Sequence, residues 1–493
     1  MEKNMESNTT NGVQYRRAKT WQIAFSQLSS GSNVIFYLLV GLMSYLANAG
    51  YGIAVAVVGI ILTGTRIFDG LIDPFIAMFI DKFNSKHGKI RIILSIGWVI
   101  RAIATYMLFI WGSGKGYGVV FFVFTYLIYI IGNSISDVAA QITGPIMTND
   151  PKQRPTINVW STIYNFVIPM VFSVVTTVVI LPMYGNEYTV EMLATTCIIY
   201  IIGSLILTIL SFIGIAPVDK KENFEGISAN DNDDVKVKDM IGFLKENKPF
   251  QMYLISGASD KLAQQVGAQA VVNTMMFGIL MGNIQFGSIL NMISMLPSIL
   301  FAIIGARYAG KHGNKKTMVD WTKICIVMAA ISIAFCFVID MSKIPTTLSL
   351  TIIFFALSLL LNGAKMCVTT SNGAMRADII DYELDRSGKY IPAVVTATYN
   401  FFDQLFTALA STIALGCVAL IGYSAVMPQP NDPSTRPIFM MTMFLYYGLP
   451  ILGWLTTIAA MRFYNLTREE MVDVQQSIHD KKERLEAENS IVS

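Results

Sequence analysis

Apolar residues run along this chain in long blocks, separated by short clusters of charged and turn-forming residues. Twelve such blocks occupy residues 22–49, 53–80, 91–111, 118–147, 157–181, 193–216, 249–278, 285–308, 318–340, 347–375, 391–423 and 437–461. A helix needs roughly 20 apolar residues to cross a bilayer, so each block predicts a membrane-spanning helix. The widest hydrophilic break, 217–248, has Asn230-Asp231-Asn232-Asp233-Asp234 in its middle and leaves six spans on either side. The expected organisation is an N-terminal segment 1–21, a six-helix half 22–216, a central loop 217–248, a second half 249–462 and a tail 463–493. The tail predicts a solvated helix lying on the protein. Thr467 and Glu470 form a capping-box pattern, and Met471, Val474 and Ile478 form an apolar stripe.

Charge sharpens this picture. Only 14% of the 493 residues are charged, whereas a soluble domain carries about a quarter. Residues 20–65 and 262–306 hold no Asp, Glu, Lys or Arg at all. A soluble enzyme, a nucleic-acid binder and a disordered scaffold are thereby excluded, and an all-α integral membrane protein remains. Of the 36 Lys and Arg, 28 fall in the N-terminal segment, the loops following even-numbered spans and the tail; Lys115, Lys343 and Arg436 alone lie on the opposite side. Basic loops stay in the cytoplasm, so both termini are expected there. That side is the basic face of the protein. The polar first 20 residues lack an apolar core with a cleavage site, so no cleaved signal peptide is expected. Cys197, Cys325, Cys336, Cys367 and Cys417 all sit in apolar stretches and predict packed thiols. The net charge of +3 gives no reason to expect a polyanionic partner.

The two halves share features in order. Lys86-His87-Gly88-Lys89-Ile90-Arg91 returns 225 residues later as Lys311-His312-Gly313-Asn314-Lys315-Lys316, and Thr148-Asn149-Asp150 corresponds to Arg376-Ala377-Asp378. The charge-free windows recur at a similar offset. Duplication of a six-helix unit is a transporter architecture.

Charges inside the spans are costly, about 2.5–3.5 kcal/mol each on insertion scales, and mark a pathway by default. Span 2 carries Arg66, Asp69 and Asp73. The two carboxylates are four residues apart and share one helix face. Pro74 follows and frees a carbonyl one turn back. Span 4 adds Asp137, with Ser134 on the same face. Such an oxygen set suits a hard monovalent cation; local pairing with Arg66 and Arg101 is the alternative. In the second half, Lys365 stands 228 residues after Asp137, at the register of its symmetry mate. Asp260 and Lys261 lie in span 7 and Asp403 in span 11. This opposite balance predicts that one half holds a cation and the other a polar substrate. Trp160, Tyr164 and Tyr399 are candidates for stacking on a sugar ring. His87, His312 and His479 all lie in loops or tail, so no intramembrane histidine relay exists. Gly112-Ser113-Gly114-Lys115 lacks the spacing of a phosphate loop. With no nucleophile–base pair, no metal constellation and no ATPase motif, an enzyme is not expected.

Arg66-Ile67-Phe68-Asp69-Gly70-Leu71-Ile72-Asp73-Pro74 resembles the second helix of the glycoside–pentoside–hexuronide:cation symporters, the sodium:galactoside family typified by melibiose permease. The likeness continues through Ala77 and Asp81 to Gly88-Lys89-Ile90-Arg91. A second familiar stretch is Ala377-Asp378-x-x-Asp381-Tyr382-Glu383 with Arg386-Ser387-Gly388-Lys389. Ala77 and Ile90 replace the usual Gly and Phe. The resemblance implies a major-facilitator fold of two pseudo-symmetric six-helix halves in the cell membrane. It also implies sugar co-transport with Na⁺, H⁺ or Li⁺ and no other cofactor, with the membrane lipid and the sugar as partners of a monomer. The family's cation ligands fall on Asp69, Asp73, Ser134 and Asp137, and its cytoplasmic gating motifs on Asp81, Gly88, Lys89, Arg91, Asp378, Asp381, Tyr382 and Arg386. The Asn before the second aspartate falls on Ile72, which favours H⁺ over Na⁺. In the sugar site the family's helix-1 Asp falls on Asn33, its helix-4 Trp on Gln141, its helix-5 Arg on Thr162 and its helix-11 Lys near Asp403 and Gln404. Galactoside specificity is therefore not expected. Arg101, Lys261 and Lys365 suit a substrate carboxylate and keep a hexuronide open, while Asp403 argues against it. Other readings of such a fold are a lysolipid carrier and a non-transporting membrane sensor.

Overall fold

A computed structural model describes residues 7–10, 13–82, 88–148, 153–219, 237–388 and 392–492. Twelve helical segments fall on the twelve expected spans. The first half comprises α1 (Thr20–Gly50), α2 (Val55–Lys82), α3 (Ile90–Trp111) and α4 (Gly118–Met147). It continues with α5 (Arg154–Val174, running on through Val175–Ile180 and Leu181–Met183) and α6 (Val190–Ile215). The second half comprises α7 (Lys248–Gly267, resuming as Ala270–Asn273 and Thr274–Leu280), α8 (Ile284–His312) and α9 (Asn314–Val338). It ends with α10 (Leu348–Ser387), α11 (Pro392–Leu420) and α12 (Arg436–Phe463). The tail forms α13 (Arg468–Val492).

Length and composition alone qualify ten of these to cross a membrane. α7 falls short because it breaks near Ala268 and carries Asp260, Lys261, Gln264 and Gln265 before the break. Its last turns meet the start of α8 at 117°. Starts are set by side chains. The Thr189 hydroxyl accepts from Met192 N at 3.2 Å, Asn247 Oδ1 from Phe250 N at 2.8 Å and Asn283 Oδ1 from Phe286 N at 3.1 Å. Each satisfies a donor that a helix start leaves unpaired. α10, at 40 residues, is about 60 Å long at 1.5 Å per residue. It extends well past a hydrocarbon core of about 30 Å.

Two local elements were not expected. Ser7–Thr10 and Val13–Arg16 form a short antiparallel hairpin, with Ser7 opposite Arg16. The central loop contains a helix, Val237–Glu246. The latter forms because Phe243 is buried against Phe250, with ring centroids 4.6 Å apart.

Contacts divide the chain into two compact units. One spans Met1–Asn230 with Gly287–Ile289 and Leu415–Pro433; the other spans Asp231–Phe286, Leu290–Ala414 and Ser434–Ser493. The stretch after α11 joins the first unit through Asn48. This side chain donates to Ala425 O at 2.8 Å and accepts from Met427 N at 2.8 Å. Tyr45 donates to Pro428 O, and Tyr188 N to Gln429 Oε1. Near the basic face of the first unit, Ile23, Ile76, Ile80, Ile90, Leu94, Ile157 and Ile215 belong to one apolar cluster. All five cysteines are free thiols, four of them buried.

Candidate cation and substrate site

In the first unit, two glycines let α3 and α4 cross closely. A Cβ on Gly132 would lie 2.9 Å from Arg101 N, and one on Gly97 would lie 3.0 Å from Gly132 O. Arg101, 1% exposed, therefore lies against α4. Its guanidinium lies 4.5 Å from the Phe36 ring centroid.

Around it is a closed ring of hydrogen bonds. Arg101 Nη2 donates to Asn33 Oδ1 at 2.8 Å, and Nη1 to Asn133 Oδ1 at 3.4 Å. Asn33 Nδ2 donates to Asp137 Oδ1 at 2.7 Å, and Asn133 Nδ2 to Asp137 Oδ2 at 2.8 Å. A guanidinium only donates and a carboxylate only accepts, so an amide, which does both, is the natural bridge. Asn33, Arg101 and Asp137 were expected in the site. Asn133 was not. Its signal is the Asn133-x-x-x-Asp137 spacing, which puts both side chains on one face of α4.

Asp69 on α2 accepts from the Ser134 hydroxyl at 2.9 Å, joining α2 to α4. Asp73 lies one turn further along α2. Arg66 lies 5.7 Å from the Tyr37 ring centroid, with Asp69 within electrostatic reach. Asp69, Asp73 and Asp137 are within electrostatic reach of one another. Among the described residues, however, no three His, Cys, Asp or Glu side chains converge closely enough to hold a metal ion. Asp137 is turned towards its two asparagines. The side chains of Gln141 and Asp81 lie outside the described residues. Trp160 packs against the apolar cluster near the basic face, its ring centroid 5.8 Å from that of Tyr164.

In the second unit Asp260 on α7 is a buried charge, 5% exposed. It accepts from Trp454 Nε1 at 2.9 Å and from Gln264 Nε2 at 2.7 Å. Lys365 Nζ sits 5.8 Å from the Trp454 ring centroid, within electrostatic reach of Asp260. Lys261 pairs with Asp403 at 3.4 Å, both side chains partly exposed. Gln404 is exposed on α11. Arg376 stacks 4.1 Å from the Tyr399 ring centroid, a partnership the sequence pattern did not suggest.

At the basic face, Gly88 has φ 103°. The turn is held by Asp219, just past α6, which accepts from Lys89 N at 2.8 Å, Ile90 N at 3.1 Å and Arg91 N at 3.1 Å and pairs with Arg91 Nε at 3.1 Å. Asp219 was missed because it sits in a loop with no nearby motif. In the second unit Asp378 accepts from Asn314 at 2.7 Å, and Asp381 from Gln475 of α13 at 2.7 Å. Arg386 pairs with Glu383 at 2.9 Å, and Glu383 is also held by Asn247 at 2.8 Å. Tyr382 lies on the same extension of α10, half-buried.

Comparison with known proteins places this architecture. A family model described as "MFS/sugar transport protein" matches residues 24–468. The chain is similar to the putative glycoside/cation symporter YagG of Escherichia coli (strain K12), 19% identical over 86% of this chain and 87% of the relative. It is also similar to the isoprimeverose transporter of Lactiplantibacillus pentosus, 21% identical over 94% of this chain and 93% of the relative. Among solved structures, the nucleoside transporter NupG aligns with a TM-score of 0.56 at 14% identity. That alignment covers 90% of this chain and 99% of the other, a likeness of fold.

Proposed function

The chain belongs to the MFS/sugar transport protein family, and from that premise we propose that it is a secondary active symporter carrying a sugar or glycoside into the cell with a cation. The observation that carries the reading is the acid cluster shared by α2 and α4, where Ser134 joins Asp69 at 2.9 Å and Asp137 stands within electrostatic reach. Charged groups kept inside apolar helices at this cost serve ion pathways. The relatives named glycoside/cation symporter and isoprimeverose transporter support the same substrate class.

In this reading Asp69 and Asp73 carry the cation, with Ser134 and Asp137 completing the site. H⁺ stands ahead of Na⁺, because Ile72 offers no oxygen donor and Asp137 already accepts two amide hydrogens. The candidate sugar contacts are Arg101 and Asn33 within the first unit and, taken separately, Lys261, Lys365 and Asp403 within the second. Both termini lie in the cytoplasm, where basic loops are retained. Cation binding favours sugar binding and alternating access. Linkage of this kind is worth about 1–3 kcal/mol and acts equally in both directions.

The test is sugar uptake into proteoliposomes holding the purified protein, with neutral glycosides, pentosides and uronates as the panel. Uptake driven by a pH gradient in sodium-free buffer is the expected result. Uptake only with a Na⁺ gradient reverses the choice of ion. No flux with any sugar under either gradient overturns the reading.

A further inference from the structure

The ring around Asp137 has a consequence for how ion and sugar are linked, and it rests on the symporter reading above. Both oxygens of Asp137 are taken by asparagine amides, and both amide oxygens are taken by Arg101. The guanidinium thus neutralises the carboxylate without touching it. A direct Arg–carboxylate pair would be bidentate and hard to separate. An amide bridge divides the pairing among four separate bonds, each between one charged and one neutral group and each exchangeable with a hydroxyl group. Arg101 Nε finds no hydrogen-bond partner among the described residues although the side chain is 1% exposed. The ring therefore contains an unused buried donor besides its four hydrogen bonds.

We infer that the Arg101–Asn33–Asp137–Asn133 ring is a latch that withholds Asp137 from the coupling cation. A substrate rich in hydroxyls opens it by taking the amides of Asn33 and Asn133. With both amides withdrawn, the Asp137 carboxylate is free to turn towards Asp69 and Asp73, and the cation is held more tightly. The latch ties a polar face of α1 to the ion-carrying face of α4, and it supplies the linkage that symport requires. Besides being a candidate sugar contact, Arg101 then acts on the cation through its hold on Asp137. Its removal should strengthen cation binding, whereas a group needed merely for structure would weaken it.

The experiment measures equilibrium binding, to the purified full chain, of the cation that drives wild-type uptake, with and without whichever panel sugar the wild type transports. H⁺ is read from the pH midpoint of proton uptake, and radioactive Na⁺ is used if only a Na⁺ gradient drives flux. Arg101→Gln should bind that cation at least tenfold more tightly than wild type without sugar, and sugar should then produce less than a twofold further gain. Adding Asp137→Asn to Arg101→Gln should abolish the gain, because the gain acts through that carboxylate. Asn133→Leu opens one arm of the ring and should give a smaller gain in the same direction. It serves as the readout should Arg101→Gln fail to fold. Unchanged or weaker cation binding in the folded variants overturns the latch, as does a gain that survives Asp137→Asn. An absence of sugar flux in wild type overturns the symporter reading instead, and the pH midpoint of proton uptake without sugar still decides whether Arg101 restrains Asp137.

Discussion

The two units solve the same problem with opposite charges. At one register of the repeat the first unit has Asp137 and the second has Lys365. Asp137 is compensated from α3 by Arg101 through two asparagines. Lys365 lies beside the Trp454 ring, with Asp260 on α7 as its counter-charge. The turns at the basic face repeat the inversion. Gly88 is held by the carboxylate of Asp219, which accepts from the first amides of α3. Gly313 is packed by Arg468, whose Nη1 donates to Lys311 O at the end of α8. An acid at a helix start and a base at a helix end both complement the helix dipole. The lesson is that at matching places in the two units the need for a partner is kept, while the sign of the charge changes and the partner changes with it.

Substitutions can break this comparison, beginning with the largest effect. If only the first unit carries the ion, Asp69→Asn should remove gradient-driven sugar uptake by tenfold or more, with sugar exchange across the bilayer retained. Asp260→Asn should keep its dependence on the gradient. Equal loss of coupling in both variants would erase the distinction between the units. Next comes the Gly88→Ala and Gly313→Ala pair, compared by thermal unfolding in detergent. A Cβ on Gly88 would meet Asp219 Oδ2 at 2.3 Å, against 2.9 Å to Arg468 Cβ for Gly313. Overpacking costs about 1–3 kcal/mol, and the positive φ adds strain in both, so the Gly88 variant should be the less stable.

Trp454→Phe keeps most of the ring volume but removes the indole donor from Asp260. An unsatisfied buried acceptor costs about 1–3 kcal/mol, and a matching loss in unfolding free energy is expected. A variant as stable as wild type would mean that Gln264 and Lys365 suffice to hold the carboxylate. The smallest effect belongs to Lys261 and Asp403. Their pair is 36% and 25% exposed, and exposed pairs contribute at most about 1 kcal/mol. Replacing both together by Ala should change stability little, so a large loss of sugar affinity in that variant would assign the pair to the substrate.

Much of the membrane architecture was legible along the chain. Apolar blocks gave twelve helix positions close to those observed, because a bilayer forces backbone groups to pair within each helix. The continuation of α10 far past residue 375 was not legible. Its last turns are polar and are stabilised by partners distant in sequence, such as Asn314, Asn247 and Gln475. The linker helix Val237–Glu246 escaped for a similar reason, since Phe243 becomes a core residue only when α7 brings Phe250 to it.

The candidate site divides in the same way. Asp69 and Asp73 were visible as an intramembrane pair at helical spacing, and Asp137 as a third charge in a neighbouring span. Spacing along one helix is a property of local geometry, and the cost of charge in an apolar segment depends on that segment alone. By itself the sequence therefore determined the spans, the basic face and which charged residues lie within membrane-crossing segments. Tertiary structure decided which group faces which. It turned Asp137 to Asn33 and Asn133, put Arg101 behind them, gave Asp260 to Trp454 and matched Asp219 to the Gly88 turn. Those choices depend on where α3 and α4 cross and how loops return, and directional hydrogen bonds a few ångströms long form only after the helices have packed.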